Sequence, residues 1–367
     1  MKVRYSYLPQ QFADPDPILE EIKALVGRGD FTLGKQVAEF EERFAALIGS
    51  KYAVGVNSGT DALMLSLKAL GVGHGDEVIT AANTFIATVG AINALGAKPV
   101  FVDVTPYYTM DVSQIEGAIT PRTKAIVPVH YTGEPVDMNA LMEISEKHGL
   151  PIVEDACQSI LCEFEGKRAG TFGAMGGFSL HPLKNLNVWG DAGVIVTDSD
   201  VHVEQLRLLR NHGMKNRDEI TLLGYNSRLD TLQAIVGNSL VGQVPEITRR
   251  RIENADRYDA AFSQMEGHIT LPPRRSNVKR VYHLYVVYAE RRDELLAHLL
   301  EREISAKIHY PIPLFLQEGL SHLGYKPGDF PETERQASRI ITVPVDQHLE
   351  ESQQDYVIDA VRVFYGS

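Results

Sequence analysis

The stretch Tyr52-Ala-Val-Gly-Val-Asn-Ser-Gly-Thr-Asp-Ala-Leu63 sets the fold of this chain. Its first half is an apolar run that predicts a buried strand over residues 53–56, and residues 62–70 repeat leucine at helical spacing. A strand that passes through a tight turn into a helix is a βα unit. The turn would present the amides of Ser58, Gly59 and Thr60 at the positive end of the helix, where an anion such as phosphate binds. Simple capping of the helix by Ser58 or Thr60 is the plainer alternative.

The same alternation continues along the chain. Apolar runs at 77–80, 99–104, 123–130, 151–154, 176–179 and 192–197 predict further strands, and helical spacing at 85–95, 112–118 and 138–148 fills intervals between them. Such alternation is typical of a mostly parallel sheet covered by helices on both faces. A long helix is predicted from about residue 238, running toward residue 262 and stopping near residue 267, and shorter strands and helices follow it. We therefore predict an α/β fold with an N-terminal arm at 1–17, a large seven-stranded domain at 18–245 and a smaller α+β domain at 246–367.

The composition is that of a globular chain that buries a core. Its 367 residues are 44% hydrophobic and 23% charged, and no stretch approaches the roughly 20 apolar residues of a membrane span. The formal net charge of -12 repels a nucleic-acid backbone, so an anion site must be built locally. Cys157 and Cys162 are too few for a disulfide framework, and no apolar leader precedes Pro9. We expect a cytoplasmic protein with reduced thiols and no membrane or nucleic-acid partner.

Two further segments carry chemistry at predicted strand ends. Residues 176–193 place Ser179, His181 and Lys184 just after a strand, among apolar residues that would desolvate the lysine. A desolvated lysine loses its charge more readily and becomes an imine-forming nucleophile, although a lone loop lysine is more often merely solvated. Asp155 ends the strand before it and could pair with a cationic ligand atom, or could be a helix cap or a solvated acid.

A third glycine-containing segment, Gly29-Asp-Phe-Thr-Leu-Gly-Lys35, imitates a nucleotide-binding P-loop. Gln36 stands where that loop needs a serine or threonine, and the residues before it have helical spacing instead of a strand pattern. We therefore interpret it as a turn between two helices.

An anion cradle, a strand-end acid and an imine-forming lysine together match pyridoxal phosphate, which has a phosphate, a pyridine nitrogen and an aldehyde. Collinear motifs also resemble the DegT/DnrJ/EryC1/StrS sugar aminotransferases, which are fold-type I pyridoxal phosphate enzymes. The matching motifs are Gly34-x-x-Val37-x-x-Phe40-Glu41, Asn57-Ser-Gly-Thr60-x-Ala-Leu63, Thr84-Phe85-x-Ala-Thr88, Glu154-Asp155-x-x-Gln158, Ser179-x-His181-x-x-Lys184-Asn185, Arg210-Asn-His-Gly213, Asn226-Ser-Arg228-Leu-Asp230-x-x-Gln233-Ala234 and His309-Tyr-Pro-x-Pro313.

The resemblance implies roles for particular residues. Lys184 would form the imine with the cofactor aldehyde, and Asp155 would pair with the ring nitrogen. Asn226 would reach the phosphate of the neighbouring subunit, which implies a homodimer with shared active sites. The other implied cofactor-binding residues are Ser58, Gly59, Thr60 and Ser179 for the phosphate, Phe85 for stacking on the ring and Gln158 for the ring hydroxyl. The residues assigned to substrate are His181, Trp189, Arg228, His309 and Tyr310, and none is assigned to a metal.

The resemblance also implies the reaction: an amino group passes from L-glutamate to a keto or aldehyde sugar, most simply a nucleotide-linked keto-deoxysugar. The variant Gly190-Asp191-Ala-Gly193 resembles the branch acting on 3-keto sugars and also some relatives acting on other sugar positions, so the keto position stays open. Amination of a non-nucleotide octulosonate sugar acid, and a non-enzymatic regulatory role, stay open as alternatives. A dehydratase or lyase is disfavoured because related dehydratases carry histidine where this chain keeps Lys184. Trp189 could instead pack under its loop, and His130 and His212 could be purely structural histidines.

Overall fold

The computed structural model describes residues 1–366. None of the helices in that range is long and apolar enough to cross a membrane. The strands are β1 (Tyr52–Val56), β2 (Glu77–Ala81), β3 (Lys98–Val102), β4 (Thr123–Val127), β5 (Val153–Asp155), β6 (Glu163–Phe164), β7 (Lys167–Arg168), β8 (Met175–Ser179), β9 (Gly193–Thr197), β10 (Ile269–Thr270), β11 (Val278–Lys279), β12 (Tyr285–Ala289) and β13 (Ile340–Val343). The α-helices are α1 (Leu8–Gln11), α2 (Asp16–Arg28), α3 (Lys35–Ile48), α4 (Gly59–Ala69), α5 (Ile86–Ala94), α6 (Ile115–Ala118), α7 (Met138–His148), α8 (Asp200–Leu209), α9 (Thr231–Leu240), α10 (Val244–Phe262), α11 (Arg292–Glu301), α12 (Pro331–Arg339) and α13 (Glu351–Tyr365).

Seven strands form the main sheet in the order β1-β9-β8-β5-β4-β2-β3. Strand β4 joins β5 through the parallel bridges Ile126–Ile152 and Val129–Asp155. Strand β9 pairs antiparallel with both of its neighbours, while the other pairings are parallel. The sequence prediction of a mostly parallel seven-stranded sheet is confirmed, and the parallel strands end at one common edge.

The sheet is buried because its strands are apolar on both faces and helices cover them. Every residue of β2 and β9 is buried, as is typical of a strand with helices above and below. Helix α3 packs Phe40 and Phe44 into the core beneath β8, where the ring of Phe44 meets Phe178 edge-on at 5.3 Å. The P-loop-like segment is the predicted turn, since Gly29 ends α2 with a φ of 78° and Gly34 caps α3.

The C-terminal part has its own buried core around the antiparallel sheet β10-β12-β13. The N-terminal arm belongs to this core, because Val3 bridges to Ile304 and is fully buried. The long helix predicted from about residue 238 toward Phe262 is present from Val244 to Phe262 as α10, but its predicted start is wrong. Helix α9 ends at Leu240, a short 3-10 turn follows, and Pro245 stands in the first turn of α10. Proline lacks an amide proton and is favoured in the first turn of a helix, so it starts a new one here. The domain boundary at residues 245 and 246 lies at this start and stays a prediction.

Candidate active site

The carboxyl ends of the parallel strands border one pocket of about 350 Å³. Ser58 follows β1, Phe85 follows β2, Asp155 ends β5 and Ser179 ends β8, and all four line this pocket with Lys184 from the loop after β8. This volume lies in the range of small-molecule sites, and strand ends are where open α/β sheets bind ligands. The fold thus brings together residues that are more than 120 positions apart in the chain.

Asp155 is a buried carboxylate held by uncharged donors. It is 5% exposed, and its Oδ2 accepts a hydrogen bond from the Thr88 hydroxyl at 2.7 Å while Oδ1 accepts one from the Cys157 amide at 3.1 Å. Thr84 lies 2.6 Å behind Thr88, hydroxyl to hydroxyl. Within residues 1–366 no basic side chain lies within ion-pair distance of this carboxylate. A buried negative charge is costly without a cation, so the site calls for a cationic ligand atom.

Lys184 is presented by a loop whose backbone is pinned on both sides. Its amide donates to the His181 carbonyl at 2.8 Å, and its carbonyl accepts from the Asn187 side chain at 3.0 Å. Burial lowers the pKa of the Lys184 amine, an effect that the nearby Cys157 and Asp155 oppose. A larger fraction of uncharged amine makes the side chain a better nucleophile.

The turn after β1 both caps α4 and offers free amides to an anion, the two roles that its sequence left open. Ser58 caps α4, since its hydroxyl oxygen accepts from the Asp61 amide at 3.1 Å. The amides of Gly59 and Thr60 begin the helix and so lack an intrahelical acceptor. Glycine is required here, because a Cβ on Gly59 would lie 2.7 Å from the Cβ of Ser179. The close approach leaves two amides, two hydroxyls and a helix dipole facing the same corner of the pocket.

The other side of the pocket comes from the arm and the C-terminal part. We call Ser58, Asp155, Ser179 and Lys184 the sheet wall. The outer wall, defined by what it faces across the pocket, consists of Tyr5, His283, Lys307, His309 and Tyr310. Of these five residues, only His309 and Tyr310 were predicted from the sequence to lie in the site. Lys307 stands two residues before His309, and in an extended segment two such side chains lie on the same side, so this spacing could have predicted Lys307 as well. No local pattern points to Tyr5 or His283.

The three histidines that line the pocket all have lowered pKa values. Burial, with Lys307 and Lys184 nearby, lowers the pKa of His309 to about 4, and its Nδ1 lies 2.9 Å from the Thr342 hydroxyl. Burial, reinforced by Lys184, also lowers the pKa of His283 well below its ordinary value. Burial likewise lowers the pKa of His181, whose Nδ1 accepts from the Leu183 amide. These imidazoles are therefore neutral at physiological pH.

Two further predicted cofactor residues also line the pocket. Phe85 is 47% exposed and faces Tyr310 across it, with ring centroids 5.7 Å apart. Gln158 is buried, and its Oε1 accepts from the Thr132 amide at 2.7 Å. This bond fixes the orientation of the side-chain amide and turns its NH₂ group toward other partners.

Three predicted residues lie away from the pocket of their own chain. Asn226 is exposed, and Arg228 donates to the Asn211 side chain at 3.0 Å. Trp189 is 38% exposed and packs edge-on against Phe12 at 5.5 Å. Their roles toward cofactor or substrate therefore stay predictions that depend on a second subunit or on movement.

His130 is a structural residue. It is fully buried, its Nε2 donates to Glu154 at 2.9 Å, and its Nδ1 accepts from the Val136 amide at 3.2 Å. The same glutamate also accepts the amides of Gly170, Phe172 and Gly173. With both ring nitrogens satisfied, His130 stabilises the strand that ends in Asp155.

The residues present fit pyridoxal phosphate. The open amides of α4 suit its phosphate, the buried carboxylate suits a protonated pyridine nitrogen, and the Lys184 amine suits its aldehyde. All three groups meet in a single pocket.

Comparisons with known proteins agree with this geometry. The chain is 39% identical to a protein of Geobacillus stearothermophilus named pleiotropic regulatory protein, over 100% of this chain and 99% of the relative. It is 40% identical to the dTDP-3-amino-3,4,6-trideoxy-alpha-D-glucose transaminase of Streptomyces venezuelae, over 96% of this chain and 95% of the relative. The crystal structure of S. venezuelae DesV in complex with a ketimine intermediate superposes with a TM-score of 0.96 at 38% identity, covering 100% and 99%.

The family assignment follows from the extent of these matches. The pattern of the DegT/DnrJ/EryC1/StrS aminotransferase family matches residues 14–362, nearly the whole chain. The fold-type I architecture and the pyridoxal phosphate cofactor predicted from the sequence are confirmed. The chain belongs to the DegT/DnrJ/EryC1/StrS aminotransferase family and is a pyridoxal phosphate-dependent sugar aminotransferase.

Proposed function

We propose that this enzyme transfers the amino group of L-glutamate to the 3-keto group of a nucleotide-linked deoxysugar. The observation that carries the chemistry is that Asp155 and Lys184 line one pocket, one as an unpaired buried acid and the other as an amine with a lowered pKa. Bound pyridoxal phosphate supplies an aldehyde that condenses with amines and a ring that accepts electrons. The protein residues then determine how that group is held and where protons go.

The sheet wall has three tasks in this proposal. Asp155 holds a proton at the ring nitrogen, which keeps the ring electron-withdrawing. The Nζ of Lys184 is the nucleophile that secures the cofactor and, once released, the base that moves a proton between the substrate carbon and the cofactor. Ser58, Ser179 and the amides of Gly59 and Thr60 bind the phosphate.

Two side chains set the plane of the cofactor ring in this proposal. Phe85 covers one ring face, which its exposed position in the pocket allows. Gln158 donates from Nε2 to the ring hydroxyl, because its Oε1 is already engaged by the Thr132 amide. Together Phe85 and Gln158 would hold the cofactor in one orientation within the pocket.

The choice of sugar rests on two supports. The relative from S. venezuelae is named for a dTDP-linked 3-amino sugar, and the chain carries the Gly190-Asp191-Ala-Gly193 variant of the 3-keto branch. The octulosonate alternative has no comparable support. Retention of Lys184 argues against dehydration, because the related dehydratases carry histidine at that position.

We also propose that two copies assemble with shared active sites. Asn226 is exposed and does not line the pocket of its own chain, so it is free to reach the phosphate in another copy. Several exposed apolar residues line the pocket or stand within two positions of a lining residue, as expected for a surface that a second subunit covers. They include Phe85, Ile86, Leu183 and Ile312.

The function is tested by following the two half-reactions separately. Mixing the holoenzyme with L-glutamate should convert the visible spectrum of the cofactor to that of its amine form and release one 2-oxoglutarate per site. Adding nucleotide-linked 3-keto sugar, 4-keto sugar or the octulosonate aldehyde in parallel should restore the first spectrum fastest with the 3-keto sugar. Restoration by the octulosonate aldehyde alone would contradict the proposed acceptor, and no response to glutamate would contradict the proposed donor.

The shared site is tested by mixing two inactive variants. In a mixed dimer of K184A and N226A, one site has a normal Lys184 and receives Asn226 from the other chain, so activity should return. If Asn226 acts within its own chain, each site lacks one group and the mixture stays inactive. Co-purification of an untagged variant with an affinity-tagged one confirms that mixed dimers have formed.

A further inference from the structure

The pocket must hold anions besides the cofactor phosphate if the proposed function is right. Each amino-acid donor carries an α-carboxylate, and a nucleotide-linked sugar carries a diphosphate. The chain as a whole has a net charge of -12, which repels both. A local positive charge that the cofactor does not consume is therefore expected in the pocket.

The charges of the pocket lining leave few candidates. Asp155 and Asp191 are acidic, and Lys184 is committed to the cofactor. His181, His283 and His309 have lowered pKa values through burial, so they are neutral near pH 7. Among the described residues that line the pocket, the remaining basic side chain is Lys307.

Lys307 is positioned by contacts that are not ionic. Its Nζ lies 4.1 Å above the ring centroid of Tyr5, which comes from the N-terminal arm. Its backbone exchanges hydrogen bonds with Thr342 of β13. Within residues 1–366 no carboxylate lies within ion-pair distance of its amine. A ring face orients an ammonium group while leaving its N–H donors available for another partner.

We propose that Lys307, oriented by Tyr5, binds the anionic oxygen group of the substrate at the mouth of the pocket. This inference rests on the proposed function and adds the residue that recognises substrate charge. The α-carboxylate of the donor and the diphosphate of the acceptor share the required chemistry. The arm residue Tyr5 makes recognition depend on docking of the N-terminus, which the bridge between Val3 and Ile304 secures.

The test compares K307M and K307R with K326M, which removes an exposed lysine outside the pocket. Titration calorimetry on the holoenzyme measures binding of 2-oxoglutarate and, separately, of dTDP, with no turnover required. K307M should weaken at least one of them about tenfold, the loss of one hydrogen bond from a charged group, while K307R and K326M stay near wild type. Weakened 2-oxoglutarate alone assigns Lys307 to the donor carboxylate, and weakened dTDP alone assigns it to the diphosphate.

The two half-reactions then give a second readout. Saturation of the glutamate reaction and of the sugar reaction should shift in K307M for the same ligand that binds more weakly. Y5L should weaken that ligand about threefold, whereas Y5F, which keeps the ring, should not. If K307M binds both ligands like wild type, the inference is wrong even when both half-reactions proceed. If wild type performs neither half-reaction, the proposed function fails, while calorimetry still decides the role of Lys307.

Discussion

The sheet wall and the outer wall of the pocket are built on different principles. Each sheet-wall residue stands at the end of a strand of the main sheet or in the loop or turn that follows it, and hydrogen bonds to its backbone hold it there. The outer wall is assembled from the arm and from loops of the C-terminal part, and its members meet mainly through aromatic contacts, such as Tyr5 with His309 at 5.9 Å. The sheet therefore positions the cofactor-binding groups through its backbone, whereas the substrate-facing groups depend on packing between separate segments of the chain. Substitutions in the two walls should therefore have different signatures.

The largest effect is expected from K184A in the sheet wall. The variant loses both nucleophile and base, so turnover should fall about 1,000-fold or more. Borohydride reduction followed by mass spectrometry should find the cofactor mass on the wild-type chain and not on K184A. K184R is the control, since it keeps a cation of similar length that forms no imine. A reducible adduct on K184A would remove Lys184 from its assigned role.

D155N should lower turnover about 100- to 1,000-fold, because an amide cannot stabilise a protonated ring nitrogen as a carboxylate does. The matched control is D103N. Asp103 is also buried, but it caps α12 through the amides of Glu332 and Thr333 and lies outside the pocket. The visible spectrum of the bound cofactor should shift in D155N and not in D103N. Equal losses of turnover in the two variants would show that Asp155 acts only through stability.

T88V tests whether the support behind the sheet wall matters. Thr88 donates its hydroxyl hydrogen bond to Asp155, so in the 2.6 Å contact between the two threonines Thr84 donates and Thr88 accepts. Removing the bond costs about 1.5 kcal/mol, or about tenfold in turnover. The control is T80V, which deletes a buried hydroxyl bonded to the Val127 carbonyl. Turnover by T88V no lower than by T80V would mean that Asp155 needs no orienting hydroxyl.

The sequence predicted the sheet wall better than the outer wall. The sheet wall could be predicted because a strand, a turn and a helix each leave a local pattern, and parallel strands must end at one edge. Tyr5 escaped because its place depends on the pairing of Val3 with Ile304, about 300 residues away, and no local pattern encodes such a pairing. Gly242 and Pro245 could have predicted the break between α9 and α10, but the apolar spacing across it suggested one continuous helix.

The smallest effect is expected in the outer wall, from H309N. In the folded chain burial lowers the pKa of His309 to about 4 from an ordinary 6.5, so the unfolded chain binds more protons between these values. Stability of wild type is therefore fully present above about pH 6.5 and is lost as pH falls toward 4. H309N has no imidazole at this position. Between pH 6.5 and 4 its free energy of unfolding should therefore fall by about 1 kcal/mol less than that of wild type. The effect is kept this small because solvent screens a partly exposed ring.

Denaturant unfolding of wild type and H309N at several pH values between 4.5 and 7.5 measures this difference. T342V is the control, because it removes the hydrogen-bond partner of His309 but leaves the partly buried imidazole, so the loss of stability in acid should persist. Cofactor affinity should stay within about twofold in both variants, since the outer wall meets substrate and not the phosphate or ring nitrogen. A large loss of cofactor affinity in H309N would erase the distinction between the walls, because it would place an outer-wall residue in the cofactor site.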